Sequence, residues 1–170
     1  MNKSISYIKL QEIPNEIILD VALEIYLSNP NYFIMSSGKP ATKEDLIRDI
    51  SIYPDVIEIS KKNTRLYLQN ELPIGIVDFI LGFPNSDTVY IGLLIVDSKY
   101  KLKGFGSQIY KDLETEFKEL DYSSVRIGVM IENTEGLNFW NKMGFTIQKT
   151  TSTSISENIS VDVYIMEKAI

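Results

Sequence analysis

Alternating stretches of apolar and polar positions divide the chain into predicted helices and strands. Residues 5–10 alternate with the two-residue period of a strand, and apolar positions recur with helical spacing over 15–28. Thr42 followed by Asp45 predicts a capping box that opens a second helix. Between these two helices we predict a loop, because Asn29-Pro30-Asn31 interrupts the helical pattern.

The remainder of the chain reads as a strand-rich middle followed by alternating helices and strands. We predict strands at 65–69, 74–83, 89–96 and 125–131, a helix that begins at a glycine turn near 105, a short helix that ends at Gly144, and a final hairpin of strands 145–155 and 159–167. The Ser/Thr-rich residues 150–154 leave a loop open as the alternative to the first hairpin strand. The element order, β-α-α-β-β-β-α-β-α-β-β, predicts an α/β fold with a single mixed, mostly antiparallel curved sheet flanked by helices.

Composition excludes several kinds of site. The 170 residues fit one domain, 1–170, and contain neither cysteine nor histidine. Disulfides, Cys/His zinc sites, cysteine nucleophiles and Ser-His-Asp triads are therefore excluded, and we predict no metal site. General base catalysis must come from Asp, Glu, Lys, Tyr or an ordered water. We find no signal peptide and no apolar run long enough for a bilayer, so we expect a cytoplasmic protein that does not bind membranes. We expect a monomer or a homodimer.

The charge balance points away from nucleic acid. Seventeen Lys and Arg against twenty-three Asp and Glu give a net charge of −6. Nucleic-acid affinity comes mostly from cationic contacts to phosphate, so we predict no nucleic-acid partner. An acidic surface slightly favours cationic partners such as amines.

A lysine-bearing glycine turn is the strongest local signal. The predicted strand 89–96 is followed by Lys101-Leu102-Lys103-Gly104-Phe105-Gly106-Ser107 and then directly by a helix. A helix start presents unpartnered N–H groups and partial positive charge, and glycines allow an anion to approach the backbone closely. The turn therefore predicts a phosphate site, with a tight loop bearing solvated lysines as the alternative. The glycine patterns of triphosphatases and of dinucleotide-binding folds are not matched.

A second motif follows the predicted strand 125–131 and favours the phosphate site over the tight loop. Asn133, Gly144 and Phe145 fit the pattern Asn-x-x-Ala-x-x-x-Tyr-x-x-x-Gly-Phe, with Gly136 in the Ala position and Trp140 in the Tyr position. Together with the match of 101–106 to Gln/Arg-x-x-Gly-x-Gly/Ala, the chain resembles the GNAT superfamily of acyl-CoA N-acyltransferases. The motif support covers 89–145, and the element order agrees over nearly the whole chain.

The resemblance implies that acetyl-CoA is the donor and that a small-molecule amine or a peptide amine is the acceptor. The donor pyrophosphate would lie on the N–H groups of 102–107, and its pantetheine arm would follow the strand edge where the neighbouring strand diverges. An N–H group near Leu94 or Ile95 would polarise the thioester carbonyl. The implied donor-binding residues are Leu94, Ile95, Val96, Lys101, Leu102, Lys103, Gly104, Phe105, Gly106, Ser107, Asn133 and Trp140.

Candidates for the acceptor side rest on other observations. Asp78 interrupts an apolar strand, where a buried unpaired carboxylate is unfavourable, so its side chain should face water, a cleft or a partner. A carboxylate that faces the cleft is our first candidate for the general base. The alternative is an Asp78 that is ion-paired or faces solvent. Glu132 is the second candidate, with a charge at the rim of the site as its alternative. Tyr32 and Phe33 lie where the family shapes its acceptor pocket, or else they anchor their loop.

Two residues leave structural alternatives open. Trp140 replaces the tyrosine that often acts as general acid in the family, and indole cannot fill that role, so it packs against the donor or the core. Gly92 in mid-strand predicts either a bulge or a close backbone approach, with a packing role as the alternative.

Three functions follow, and the leading one is an N-acetyltransferase that works by direct attack in a ternary complex. A CoA-binding sensor without turnover is the second, and a phosphate- or nucleotide-binding structural domain is the third.

Overall fold

A computed structural model of the chain describes residues 5–12, 15–156 and 159–170. The described residues form a seven-stranded sheet and five α-helices. The strands are β1 (Ile5–Lys9), β2 (Lys62–Gln69), β3 (Leu72–Leu81), β4 (Thr88–Val96), β5 (Ser124–Met130), β6 (Thr146–Ser156) and β7 (Ile159–Ala169). The helices are α1 (Glu16–Leu27), α2 (Pro30–Ser37), α3 (Lys43–Ser51), α4 (Phe105–Glu119) and α5 (Thr134–Lys142).

The sheet has the order β1-β2-β3-β4-β5-β7-β6. Only β4 and β5 pair in parallel among the described strands, with α4 as the crossover between them, and the other neighbours are antiparallel. The predicted mixed, mostly antiparallel sheet flanked by helices is therefore confirmed.

Each face of the sheet carries its own apolar cluster. Helices α1, α2 and α3 cover one face, where Ile25, Leu46 and Ile76 are buried together. Helices α4 and α5 cover the other, where Ile109, Phe117 and Phe79 are buried. The sheet separates the two helical layers, so an opening between two strands connects one side of the molecule with the other.

The predicted loop after α1 is wrong over most of its length, because residues 30–37 form α2. Pro30 occupies the first helical position, where the missing N–H has no intrahelical partner to lose, so it begins a helix as readily as it ends one. Gly38 ends α2 in the left-handed region at φ 75°. Tyr32 and Phe33 therefore lie on a helix.

Other boundaries follow the predictions closely. The Thr42–Asp45 capping box is present at α3, and Gly144 follows α5 at φ 94°. The alternative of a loop at 150–154 is wrong, because these residues pair with β7. The turn predicted at 156–158 lies in part outside the described residues. Strand β2 begins three residues earlier than predicted, at Lys62.

In the described parts of the chain, no helix combines the length and apolarity needed to cross a membrane.

Candidate active site

The site is organised by the divergence of β4 from β5. Their pairing runs from Thr88 opposite Ser124 to Ile91 opposite Ile127, although β4 continues to Val96 and β5 to Met130. Beyond the last pair the two strands leave a wedge-shaped opening in the sheet. Backbone groups on the facing edges of this opening are available to a ligand.

The backbone alternation shows which groups of β4 face this opening. The N–H of Asp97 donates to Ile74 O at 2.9 Å, towards β3. In an antiparallel pair the hydrogen-bonding direction alternates along the strand. The N–H groups of Leu94 and Val96 therefore point away from β3, towards β5.

A bulge at Gly92 shifts the register of β4. Asp78 pairs with Leu93 and Phe79 with Ile91, which leaves Gly92 as the extra residue. A Cβ built on Gly92 would lie 3.2 Å from Asp78 Oδ2, so this glycine provides both the bulge and the close approach that its position predicts. Beyond the bulge, odd-numbered residues change faces. Leu93 consequently packs on the α1–α3 side.

The glycine turn lies beside the same opening. Gly104 precedes α4 at φ 87°, and Leu102 is fully exposed at φ 59°. Within the described residues, the N–H groups of 102–107 donate to no protein acceptor, and the first bond into the turn is Gln108 N–H to Gly104 O at 3.0 Å. A Cβ on Gly106 would lie 3.3 Å from Phe139 and 3.6 Å from Val96 Cγ2. The turn thus places backbone N–H groups that lack a protein acceptor close to the end of β4.

The lysines of this turn have partners of their own. Lys101 Nζ lies 3.0 Å from Glu135 Oε1 and ties the turn to α5. Lys99 Nζ lies 2.9 Å from Asp97 Oδ2, and Lys103 Nζ donates to Lys99 O at 2.8 Å. The salt bridges are partly exposed, so they are weak and exchangeable for an anionic ligand.

Asn133 begins α5 on the other side of the opening. Its Oδ1 accepts from Gly136 N–H at 2.9 Å, as an N-cap does. A Cβ on Gly136 would lie 2.6 Å from Asn133 Nδ2. Glycine therefore stands in the alanine position of the motif because the Asn133 amide lies directly over it.

Trp140 lies in the core, the second of its two predicted alternatives. It is 8% exposed, and its ring packs at steep interplanar angles against Tyr110, Phe139 and Phe145 at centroid distances of 5.5, 4.9 and 4.9 Å. This packing accounts for its position without a ligand.

A cavity of about 610 Å³ opens on the α1–α3 side of the sheet, next to the bulge. Tyr32 and Phe33 of α2 line it, together with Asp78, Tyr90 and Gly92 of β3 and β4. The cavity and the opening between β4 and β5 therefore meet at neighbouring residues of β4. Glu132 is exposed in the turn after β5 and does not line the cavity.

Asp78 is both ion-paired and turned towards this cavity. Its Oδ1 lies 2.5 Å from Lys62 Nζ and accepts from Thr64 Oγ1 at 2.7 Å. Burial raises the pKa of Asp78 above its usual range, although the ammonium of Lys62 works against that rise. The carboxylate can accept further bonds, since two oxygens offer about four sites.

Sequence patterns miss several groups of this cavity. Lys62 of β2 and Asp49 of α3 line the cavity, and the buried Thr64 of β2 bonds Asp78. In the sequence, the spacing of these residues resembles that of ordinary surface residues. Their proximity arises only from the pairing of β2 with β3 and the packing of α3. The sequence contains one indication of this arrangement: Asp78 lies within an apolar strand, and a carboxylate buried there needs a cationic partner.

Comparisons with known proteins agree with this architecture. A sequence model described as the acetyltransferase (GNAT) family matches residues 34–145. The Bacillus subtilis (strain 168) protein named uncharacterized N-acetyltransferase YfmK is 39% identical over 83 residues, which cover 47% of this chain and 51% of that protein. The chain thus aligns with about half the length of this curated relative.

Solved structures share the fold over almost the whole chain. The Salmonella typhimurium acetyl transferase that modifies the N-terminal serine of ribosomal protein L7/L12 superposes with a TM-score of 0.78 at 15% identity, covering 99% of this chain and 96% of that one. The PaiA N-acetyltransferase of Thermoplasma acidophilum, solved in complex with coenzyme A, gives a TM-score of 0.66 at 19% identity, covering 98% and 99%. At these identities the likeness shows the fold.

Proposed function

Because the chain belongs to the acetyltransferase (GNAT) family, we propose that it transfers an acetyl group from acetyl-CoA to the nitrogen of an amine acceptor. The observation that carries the proposal is the opening between β4 and β5. It lies between a turn with unpartnered N–H groups and a cavity that contains a carboxylate.

The donor side fits an extended ligand with an anionic end. The N–H groups of 102–107 and the start of α4 suit the pyrophosphate, because a helix N-terminus favours anions. The edge of 94–96 suits the pantetheine arm, with Val96 N–H as its donor. Asn133 adds the amide N–H donors of its side chain at the other edge.

Acetyl-CoA, when bound, supplies an activated acyl thioester to the site. Leu94 N–H points towards the opening and suits the polarisation of an acyl oxygen. The alternation along β4 favours Leu94 over Ile95, whose N–H points towards β3. A fixed backbone dipole needs little reorganisation as charge develops, which is why we assign it this role.

Asp78 is our choice for the general base, ahead of Glu132. Deprotonating an alkyl ammonium with a pKa of ~10.4 costs about 4–5 kcal/mol at pH 7. Removing the proton of the acceptor is therefore a larger obstacle than protonating the leaving thiolate, so a general base matters more than a general acid. Asp78 lines the acceptor cavity at the bulge, whereas Glu132 is exposed outside it. The raised pKa of Asp78 strengthens its basicity.

Transfer proceeds directly between the two substrates. The acceptor nitrogen forms a bond to the acyl carbon, the carbon–sulfur bond breaks, one proton leaves the nitrogen and one joins the sulfur. The chain contains no cysteine, so no enzyme thioester forms on the way. Tyr32 and Phe33 line the cavity that would receive the acceptor.

The test exploits the exposed position 102. Leu102→Asp and Leu102→Asn have nearly the same shape, and both residues tolerate a positive φ. Calorimetry with acetyl-CoA should show similar binding to the unchanged protein and to Leu102→Asn. Leu102→Asp should bind acetyl-CoA at least about tenfold more weakly than Leu102→Asn, because its charge repels the pyrophosphate.

An amine panel with detection of free thiol then measures turnover. Equal acetyl-CoA affinity in both variants would contradict the assignment of the donor pyrophosphate site to this turn. Tight donor binding without amine-dependent thiol release would identify a CoA-binding protein instead of an enzyme.

A further inference from the structure

The lining of the acceptor cavity contains three carboxylates, Asp45, Asp49 and Asp78, and two cations, Arg48 and Lys62. Asp45 is 6% exposed in its side chain, and it accepts from Thr42 N–H at 2.9 Å and from Arg48 Nη1 at 2.8 Å. The exposed ammonium group of Lys39, which is outside the lining, lies 3.6 Å from Asp45 Oδ1. Asp78 is matched by Lys62. The third carboxylate of the lining, Asp49, shares the guanidinium of Arg48 with Asp45 and has no cation of its own among the described residues.

Asp49 on α3 retains free capacity to accept hydrogen bonds. Tyr26 Oη donates to its Oδ2 at 3.1 Å, and the nearest cationic atom is Arg48 Nη2 at 3.5 Å, on a guanidinium that already bonds Asp45. Burial raises the pKa of Asp49, and Arg48 and Lys62 only partly oppose that rise. The side chain is 33% exposed and faces the cavity. The lining of the cavity therefore carries one carboxylate more than it carries cations, and Asp49 is the carboxylate with the weakest pairing.

Aromatic rings surround the same space. Tyr32, Phe33, Tyr53 and Tyr90 line the cavity, and aromatic faces attract cations. Burial first, and then the negative charge of Asp49, raises the pKa of Tyr32 to about 12, so this phenol is neutral at pH 7. A carboxylate among neutral aromatic rings is suited to an ammonium group.

The size of the cavity adds a second constraint. Its volume of about 610 Å³ is much larger than one ammonium group needs. Asp49 lies on α3, whereas the transfer site proposed above lies at the bulge of β4. An acceptor that reaches both needs a second functional group in addition to its reacting nitrogen.

We propose that the acceptor is an aliphatic diamine or polyamine, and that Asp49 binds its second ammonium group while the first amine is acetylated near Asp78. This inference rests on the proposed function. Asp49 determines specificity and does not touch the reacting atoms.

The test compares three four-carbon amines that differ only at the far end. These are 1,4-diaminobutane with a cationic end, butylamine with an apolar end, and 4-aminobutanoate with an anionic end. We expect kcat/KM to fall in that order, with the diamine about 10- to 100-fold above butylamine, the range of a hydrogen bond to a charged group.

Asp49→Asn keeps the acceptor oxygen for Tyr26 and removes the charge. In this variant the preference for the diamine should fall by about tenfold or more, while butylamine stays within about threefold of the unchanged protein. Asp55→Asn, at an exposed position in the loop after α3, is the matched control and should leave all three values unchanged. An unchanged preference in Asp49→Asn would overturn the inference. So would a preference for 4-aminobutanoate, or for a lysine-bearing peptide over the diamine.

A binding measurement separates this inference from the proposed function. The same three compounds are titrated into the protein with CoA present. If no amine is acetylated but diamine binding is lost in Asp49→Asn, the proposed function fails and the cation site stands. If butylamine is acetylated and the diamine has no advantage in binding or rate, the function stands and the cation site fails.

Discussion

Lys62 and Asp78 form an ion pair in the lining of the cavity on the α1–α3 side of the sheet, with Nζ 2.5 Å from Oδ1 and side chains that are 4% and 13% exposed. The pair holds an ionised carboxylate at the bulge of β4, where the proposed chemistry needs a base. Because the ion pair is largely buried, changing it should affect both the free energy of unfolding and the rate of the proposed transfer. The two effects can be measured separately.

Asp78→Asn should lower kcat/KM by about 10²- to 10⁴-fold, the range of a lost general base. Activity of the unchanged protein should decline as pH falls through the pKa of Asp78, which lies above the usual range of an aspartate, because protonation removes the base. This acid limb should be absent in the variant. A full pH–rate profile of both proteins measures it, and an unchanged rate would remove Asp78 from the mechanism.

The variant leaves Lys62 as a buried charge without its partner, so folding needs a separate control. The double variant Lys62→Met/Asp78→Asn removes both charges and should regain most of the lost free energy of unfolding. Its rate should stay low. Recovery of activity along with stability would mean that Asp78 acts only through folding.

Asn133→Asp separates two roles of one side chain. Aspartate keeps the oxygen that caps Gly136 N–H but has no amide hydrogen to donate. We expect an unchanged free energy of unfolding and weaker acetyl-CoA binding, by about tenfold. Asn133→Ala should lose both, including about 1 kcal/mol of stability. Urea titration and calorimetry report the two effects, and equal donor affinity in all three proteins would restrict Asn133 to capping.

Trp140 should affect folding and leave chemistry alone. Trp140→Phe keeps an aromatic ring in the cluster with Tyr110 and Phe145, whereas Trp140→Ala should lower the free energy of unfolding by about 3–5 kcal/mol. Trp140→Tyr restores the residue usual in the family, yet we expect no gain in kcat, because this position is buried in the core. A rate increase of tenfold or more in Trp140→Tyr would show that the position reaches the reacting sulfur.

Glu114 should make stability depend on acid pH. Burial alone would raise its pKa, but hydrogen bonds from Lys168 and Lys118 lower it to about 2 from 4.5. A carboxylate with a lowered pKa stabilises the fold above its unfolded pKa and loses that contribution as pH falls. The contribution is on the order of 3 kcal/mol.

The matching variant is Glu114→Gln. Its deficit in free energy of unfolding should be largest near pH 7 and shrink steadily below about pH 4.5, which urea titrations at a series of pH values measure. A deficit that is the same at every pH would assign the effect to packing.

Local chemistry explains which features the sequence made predictable. The turn around Gly104 and the cap at Thr42 depend on residues within a few positions of one another, so their patterns identify them directly. The helix α2 was missed because Pro30 both ends and begins helices. Cavity residues such as Asp49 and Lys62 come together only through tertiary packing, and the bulge at Gly92 exchanges the faces of all later residues in β4. That residues 1–170 form one domain stays a prediction.

The four residue pairs that join β4 to β5 have a mechanical consequence. Past Ile91 each strand presents an interior edge, with backbone groups that a neighbouring strand would normally occupy. A donor that hydrogen-bonds to these edges acts as a surrogate strand, closing the sheet across its weakest seam. Occupancy by the proposed donor should then slow amide hydrogen exchange on both sides of the seam, and the protein should become more rigid as the donor concentration rises.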